Sequence, residues 1–166
     1  MQTHLPSILA KRIEAAGPVR VGVIGAGKFG SMFLAQVPTI PGLEVAAIAD
    51  LDPDRARAAC RAVGWTDDRV AATAFTDDGA AAAADPRVEL VIEATGAPEA
   101  GIRHARAAFA AGRHVVMVNV EADVLAGPVL AAEARAAGVV YSMAYGDQPA
   151  LVAEMVDWAR AAGFSV

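Results

Sequence analysis

Cysteine is almost absent from this chain. Cys60 is the single one, so no internal disulfide can form. Lysine is nearly missing too, with only Lys11 and Lys28. No basic run stands out, and the net charge of −5 with a pI near 5.1 excludes the basic face that non-specific nucleic-acid binding requires. No apolar stretch approaches the roughly eighteen residues of a membrane-crossing helix. No basic amphipathic stretch suggests a membrane surface. Residues 1–6 lack the basic head and apolar middle of a secretory leader. These absences point to a cytoplasmic protein with no nucleic-acid and no membrane partner. What is present is a globular composition: 166 residues, 55% hydrophobic and 20% charged, enough for one domain with a sizeable core.

The chain is organised around residues 20–30. The apolar run Val21-Gly22-Val23-Ile24 ends in Gly25-x-Gly27-x-x-Gly30, and a helical pattern follows over 31–37. Gly25 permits a tight turn off a strand. Gly27, without a Cβ, lets a pyrophosphate approach the backbone. Gly30 lets the helix pack close to the strand. The free N–H groups and positive dipole end of that helix then face the phosphates. Lys28, inside the loop beside Phe29, can add a charge near them. A second apolar strand, 43–49, ends in Asp50, twenty residues after Gly30. There a carboxylate is expected to take the adenosine ribose hydroxyls. A glycine-rich turn that binds nothing would show the same glycines. The flanking strand, the helix and Asp50 favour a nicotinamide or flavin dinucleotide.

The rest of the chain alternates strand and helix. A helix is expected over 5–16, before the first strand at 19–24. After 43–49 come a helix over 53–63, capped by Asp52, and a strand at 70–75. An alanine-rich helix follows 76–78 and ends at 85–86. Then come strand 88–94, helix 99–111, strand 114–118, a loop at 119–123, a helix from 127 to 137, strand 139–143 and a last helix over 150–162. Residues 163–166 read as the start of a further strand. This pattern predicts an α/β fold, a doubly wound parallel sheet of about six strands in the order 3-2-1-4-5-6 with helices on both faces. It makes 1–166 one dinucleotide-binding domain with a short N-terminal helix within 1–17, which packs on the sheet edge or on a partner. Cys60 falls on the inner face of its helix and is expected to be a buried, unreactive thiol.

Ligands in such a sheet lie beyond the carboxyl ends of the strands. Four loops converge there: 25–30, 95–98, 119–123 and 145–149. Thr95 and Gly96 can bring a hydroxyl and bare backbone to the nicotinamide ribose. Asn119 either bonds the carboxamide or ribose, or is a turn residue. Glu121, Asp123 and Asp147 are weak catalytic candidates. Glu121 and Asp123 can share a divalent metal with substrate oxygens, or can be loop and helix-cap charges. His104 and His114 have no metal-ligand spacing, and both are expected to be structural or exposed. No nucleophile–base pair is legible. Asp50 favours the free ribose diol of NAD, whereas Arg55 and Arg57 lie where they can turn toward the extra phosphate of NADP.

The stretches 21–30, Glu93-Ala94-Thr95-Gly96 and 112–119 together resemble the nucleotide domain of homoserine dehydrogenase-like oxidoreductases. Asn119-Val120-Glu121-Ala122-Asp123 and Gly146-Asp147-Gln148-Pro149 look closer to one branch, the deoxyxylulose-phosphate reductoisomerase-like enzymes of some bacteria, which often carry a C-terminal SAF domain. The resemblance covers about 19–166. Val120 stands where typical homoserine dehydrogenases have lysine. The Glu-Lys-Pro of sugar and inositol dehydrogenases of similar layout is absent after the fifth strand. The resemblance implies NADP(H) use, so the cofactor is written NAD(P). It also implies that substrate and catalytic residues come largely from sequence after Val166. The expected function is hydride transfer between NAD(P) and a small polar molecule, by a homo-oligomer. The alternative is a dinucleotide-sensing domain without turnover.

Overall fold

Six strands build the core of the computed structural model, which describes residues 4–166. The leader reading at 1–6 lies partly outside them. The strands are Val19–Ile24 (β1), Leu43–Ala49 (β2), Ala74–Thr76 (β3), Leu90–Glu93 (β4), His114–Met117 (β5) and Tyr141–Met143 (β6). All neighbours pair in parallel, in the order β3-β2-β1-β4-β5-β6. This is the predicted doubly wound order.

The helices are Leu5–Ala16 (α1), Lys28–Gln36 (α2), Pro53–Ala62 (α3), Asp67–Ala72 (α4), Gly79–Ala84 (α5), Pro98–Ala110 (α6), Val120–Ala137 (α7) and Gln148–Ala161 (α8). Alternation along the strands creates two apolar faces. Val21 and Val23 of β1 pack with Leu34, Ile48, Ala56, Cys60, Trp65 and Val70 on one side. Ile24, Val91, Val115 and Met117 pack with Ala83, Ala105, Phe109 and Leu130 on the other. Cys60 is fully buried, and burial pushes its thiol up to about 11, so it is protonated and unreactive at neutral pH.

Four expectations are corrected. The stretch 70–75, read as one strand, is the end of α4 followed by β3. Thr66 caps α4 by accepting from the Arg69 N–H, and Asp67 and Asp68 favour its first turn. The stretch 119–123, read as a loop, opens α7, and Pro128 lies inside that helix instead of starting it. The tail 163–166 is no strand but a helix stop. Gly163 has φ 89° and donates to Arg160 O, while the Phe164 N–H reaches back to Ala159 O. Finally, α1 does not pack on a sheet edge. Arg12 bonds Glu89 and Gly17 O, which ties α1 to the amino-terminal ends of the central strands.

Among the described residues no helix is long and apolar enough to cross a membrane. The last helix, α8, has no buried residue and exposes Val152, Met155 and Trp158.

Candidate functional site

The first strand turns into α2 at Gly25, which has φ 96°. Any side chain there would be strained, and its Cβ would sit 2.7 Å from Ala94 O. The Gly25 N–H is fixed to Ala49 O, 2.8 Å away, so the turn is pinned to β2. Gly30 is buried under the same turn, and a Cβ on it would overlap Gly25 O. Gly27 is the opposite case. It is exposed, with nothing within 4 Å of the place its Cβ would occupy. No side chain caps α2. The N–H groups of Gly27, Lys28, Phe29 and Gly30 therefore lack intrahelical partners, and at Gly27 the helix start meets open space. Lys28 and Phe29, the first two residues of α2, are exposed.

Asp50, at the end of β2, closes this corner. Its Oδ2 accepts from the Ala26 N–H at 2.8 Å, and its Oδ1 accepts from the Asp52 N–H at 3.1 Å and from Arg55 at 2.8 Å. Burial pushes its carboxyl up. The bonds from Arg55, Asp52 and Ala26 outweigh burial and hold it below the usual carboxylate range. Asp50 is thus ionised and bridges the glycine loop to β2. Arg55 lies beside it, largely exposed at the tip. Arg57 turns away, bonded to Asp54 and stacked on Phe75.

A polar cluster lies under the turn after β4. Glu93 is fully buried. Its Oε1 accepts from Thr95 Oγ1 at 2.7 Å and lies 3.1 Å from His104 Nδ1. Its Oε2 is buried without a partner. Asn119 is 2% exposed. It donates from Nδ2 to Ala97 O and Thr95 Oγ1 and caps α7 through Oδ1. Its polar atoms are therefore engaged inside the protein, and it holds the 95–97 turn instead of facing the cleft. Thr95 and Gly96 are exposed at that turn. Gly101 allows the cluster to close, since a Cβ there would lie 2.7 Å from Asn119 Nδ2.

The three acidic candidates do not meet. Glu121 is exposed in the first turn of α7. Asp123 accepts from the Tyr141 hydroxyl at 2.7 Å. Burial, then Asp123 itself, pushes that phenol's pKa well up. Asp147 caps α8 through the Gln148 N–H. Among the described residues no group of three or more His, Cys, Asp or Glu is placed to hold a metal ion. The shared-metal reading of Glu121 and Asp123 is corrected by their places in α7: residues two apart in one helical turn do not face each other, and Asp123 is engaged by Tyr141.

A cleft of about 690 Å³ brings together Gly25, Gly27, Asp50 and Thr95 with Leu51, Arg55, Asp77, Gly79, Arg103 and His104. The loops at 119–123 and 145–149 do not line it. Sequence reasoning assigned Glu93 no role, and His104, expected to be structural or exposed, is buried against it. The signal was a lone carboxylate ending the apolar strand Leu90-Val91-Ile92.

The profile of a family described as "Oxidoreductase family, NAD-binding Rossmann fold" matches residues 19–121. Among solved structures, a homoserine dehydrogenase from Thiobacillus denitrificans is similar at 25% identity and a TM-score of 0.64, over 76% of this chain and 29% of that one. Biliverdin reductase from Synechocystis sp. PCC 6803, in complex with biliverdin and NADP+, is similar at 23% and 0.63, over 76% and 37%. The WlbA dehydrogenase from Bordetella pertussis, in complex with NADH and UDP-GlcNAcA, is similar at 20% and 0.64, over 88% and 43%. The chain spans between 29% and 43% of the length of these neighbours. No curated protein matches the chain significantly.

Proposed function

This chain belongs to the oxidoreductase family with the NAD-binding Rossmann fold, and from that premise we propose that it is the NAD(P)-binding domain of an enzyme passing hydride between nicotinamide and a small polar substrate. The observation that carries the reading is the bare corner at Gly27, where unpartnered helix N–H groups meet open space. In this reading the residues fit a diphosphate. Gly25, Gly27 and Gly30 shape the hollow, and the N–H groups of Gly27, Lys28, Phe29 and Gly30, with the Lys28 ammonium, receive the charge. Asp50, ionised and next to the loop, takes the adenosine ribose, with Arg55 beside it. Thr95 and Gly96 border the remaining half, on a turn that Asn119 and Glu93 hold still. When bound, the nicotinamide supplies a two-electron hydride acceptor or donor; the chain binds, orients and shields it.

Substrate selection and proton transfer are assigned to sequence beyond residue 166. The support is the share of the neighbours' length that this chain spans, and the engagement of Asp123 and Asp147 elsewhere. The narrower placement in the reductoisomerase-like, SAF-domain branch rests on 119–123 and 146–149 alone.

The test is calorimetric and thermal titration of the 166-residue chain with NAD(H) and NADP(H). Occupancy at a hundredfold over Kd raises stability by about 2.7 kcal/mol. In Gly27→Val, whose Cβ enters the open space with no protein atom within 4 Å, affinity drops at least tenfold, while the unliganded chain loses only the preference for glycine at a helix cap, about 1 kcal/mol. No heat and no melting shift with either cofactor in the parent chain would sink the reading.

A further inference from the structure

Glu93 holds the Thr95 turn in the function proposed so far, but its contact with His104 has no task there. A fully buried carboxylate with one unpartnered oxygen is costly to keep. Its remaining oxygen holds two groups that border the cleft, Thr95 and His104. Glu93 Oε1 already accepts from the Thr95 hydroxyl, and where it accepts from His104 as well the imidazole proton sits on Nδ1, 3.1 Å away. The other nitrogen, Nε2, then carries a lone pair. It has no protein partner among the described residues, and it lies at the cleft wall against Gly79, where any Cβ would overlap the ring.

The position of that lone pair is informative. If the diphosphate lies at the glycine corner and the adenosine ribose at Asp50, the base on that ribose has the rest of the same cleft to occupy, whose lining includes Gly79, Ala100, Arg103 and His104. Adenine presents one exocyclic donor, its amine. We propose that Glu93 fixes His104 in the tautomer whose cleft-facing Nε2 accepts a hydrogen bond from the adenine amine of the cofactor. His104 is then the residue that reads the base, and Glu93 is a positioning residue acting through it. The inference rests on the dinucleotide reading above.

The discriminating ligand is nicotinamide hypoxanthine dinucleotide, which replaces the amine by a carbonyl and so sets lone pair against lone pair. Calorimetry on the parent chain is expected to show NAD+ binding about tenfold tighter than this analogue, the scale of one lost hydrogen bond and one unpaired group. In His104→Ala the ratio falls to within about twofold, through loss of NAD+ affinity. A merely structural role for His104 would weaken both ligands equally and leave the ratio intact. Glu93→Gln, which can offer an amide proton to Nδ1 and so shift the tautomer, is expected to lower the ratio as well. His104→Ala keeps the test decisive if the Glu93 variant does not fold. Equal affinities in the parent, preference for the hypoxanthine analogue, or an unchanged ratio in His104→Ala overturns the proposal while leaving the dinucleotide reading standing. If the parent binds neither ligand, both fall.

Discussion

At the scale of single residues, three glycines in one motif do three different things. Gly27 meets open space, so a side chain there is an obstacle only to a ligand. Gly25 is bound by conformation, with φ 96°, and by the backbone of Ala94. Gly30 is bound by packing alone, because a Cβ would overlap Gly25 O. Gly30→Ala is therefore expected to cost about 2–3 kcal/mol, since the atom it meets is backbone and cannot rotate away. Urea denaturation measures it, and a loss under about 0.5 kcal/mol would mean that the corner yields freely. The motif announced all three glycines. It could not say which serve the fold and which serve the ligand, because that depends on what stands opposite each missing Cβ.

At the scale of elements, α7 illustrates how one cap decides a helix. Gly127-Pro128 looked like a beginning because proline lacks the N–H that a helix interior uses. The structure starts the helix at Val120 instead, on an Asn119 cap, with Glu121 and Asp123 favouring the positive end of the dipole. Gly127 follows from this placement, since a Cβ there would lie 2.6 Å from Asp123 Oδ1. Asn119 also holds Ala97 O and Thr95 Oγ1. Asn119→Ala is expected to destabilise the chain by about 2 kcal/mol, from a lost cap and an orphaned carbonyl. It should also weaken dinucleotide binding through the loosened 95–97 turn, read by chemical denaturation and calorimetry together. A variant with full stability would show that water replaces the amide at no cost. The same reasoning accounts for the misread strand at 70–75: Thr66 and the two aspartates after it start a helix, and β-branched Val70 is simply the residue that helix buries.

At the scale of the whole molecule, carboxylates set the response to acid. Asp50, Asp85 and Glu89 are all held below their ordinary values of 3.8, 3.8 and 4.5. For Asp50 burial opposes the shift, and Arg55 with two backbone N–H groups overcomes it. For Asp85 the Arg87 side chain leads, and for Glu89 the Arg20 N–H leads. Each folded carboxyl binds its proton less readily than the unfolded one. The stabilisation is complete above the unfolded values and is lost as pH falls through the folded ones, so denaturation midpoints should be flat near neutrality and drop below about pH 4. Guanidinium-free urea melts across that range check the sign. A rise in stability on acidification would contradict it.

The sequence by itself determined the alternation of strand and helix, the sheet order and the glycine corner with Asp50 at its side. These are local patterns and short loops, where chain period and chirality leave few choices. Only the tertiary structure decided which polar groups face the cleft. It turned Asn119 inward, separated Glu121 and Asp123, engaged Asp123 with Tyr141 and brought His104, from the next helix, onto Glu93. Those outcomes depend on contacts between elements distant along the chain and on the pressure to pair buried polar atoms, which leaves Glu93 Oε2 as an exception. A linear pattern carries neither constraint.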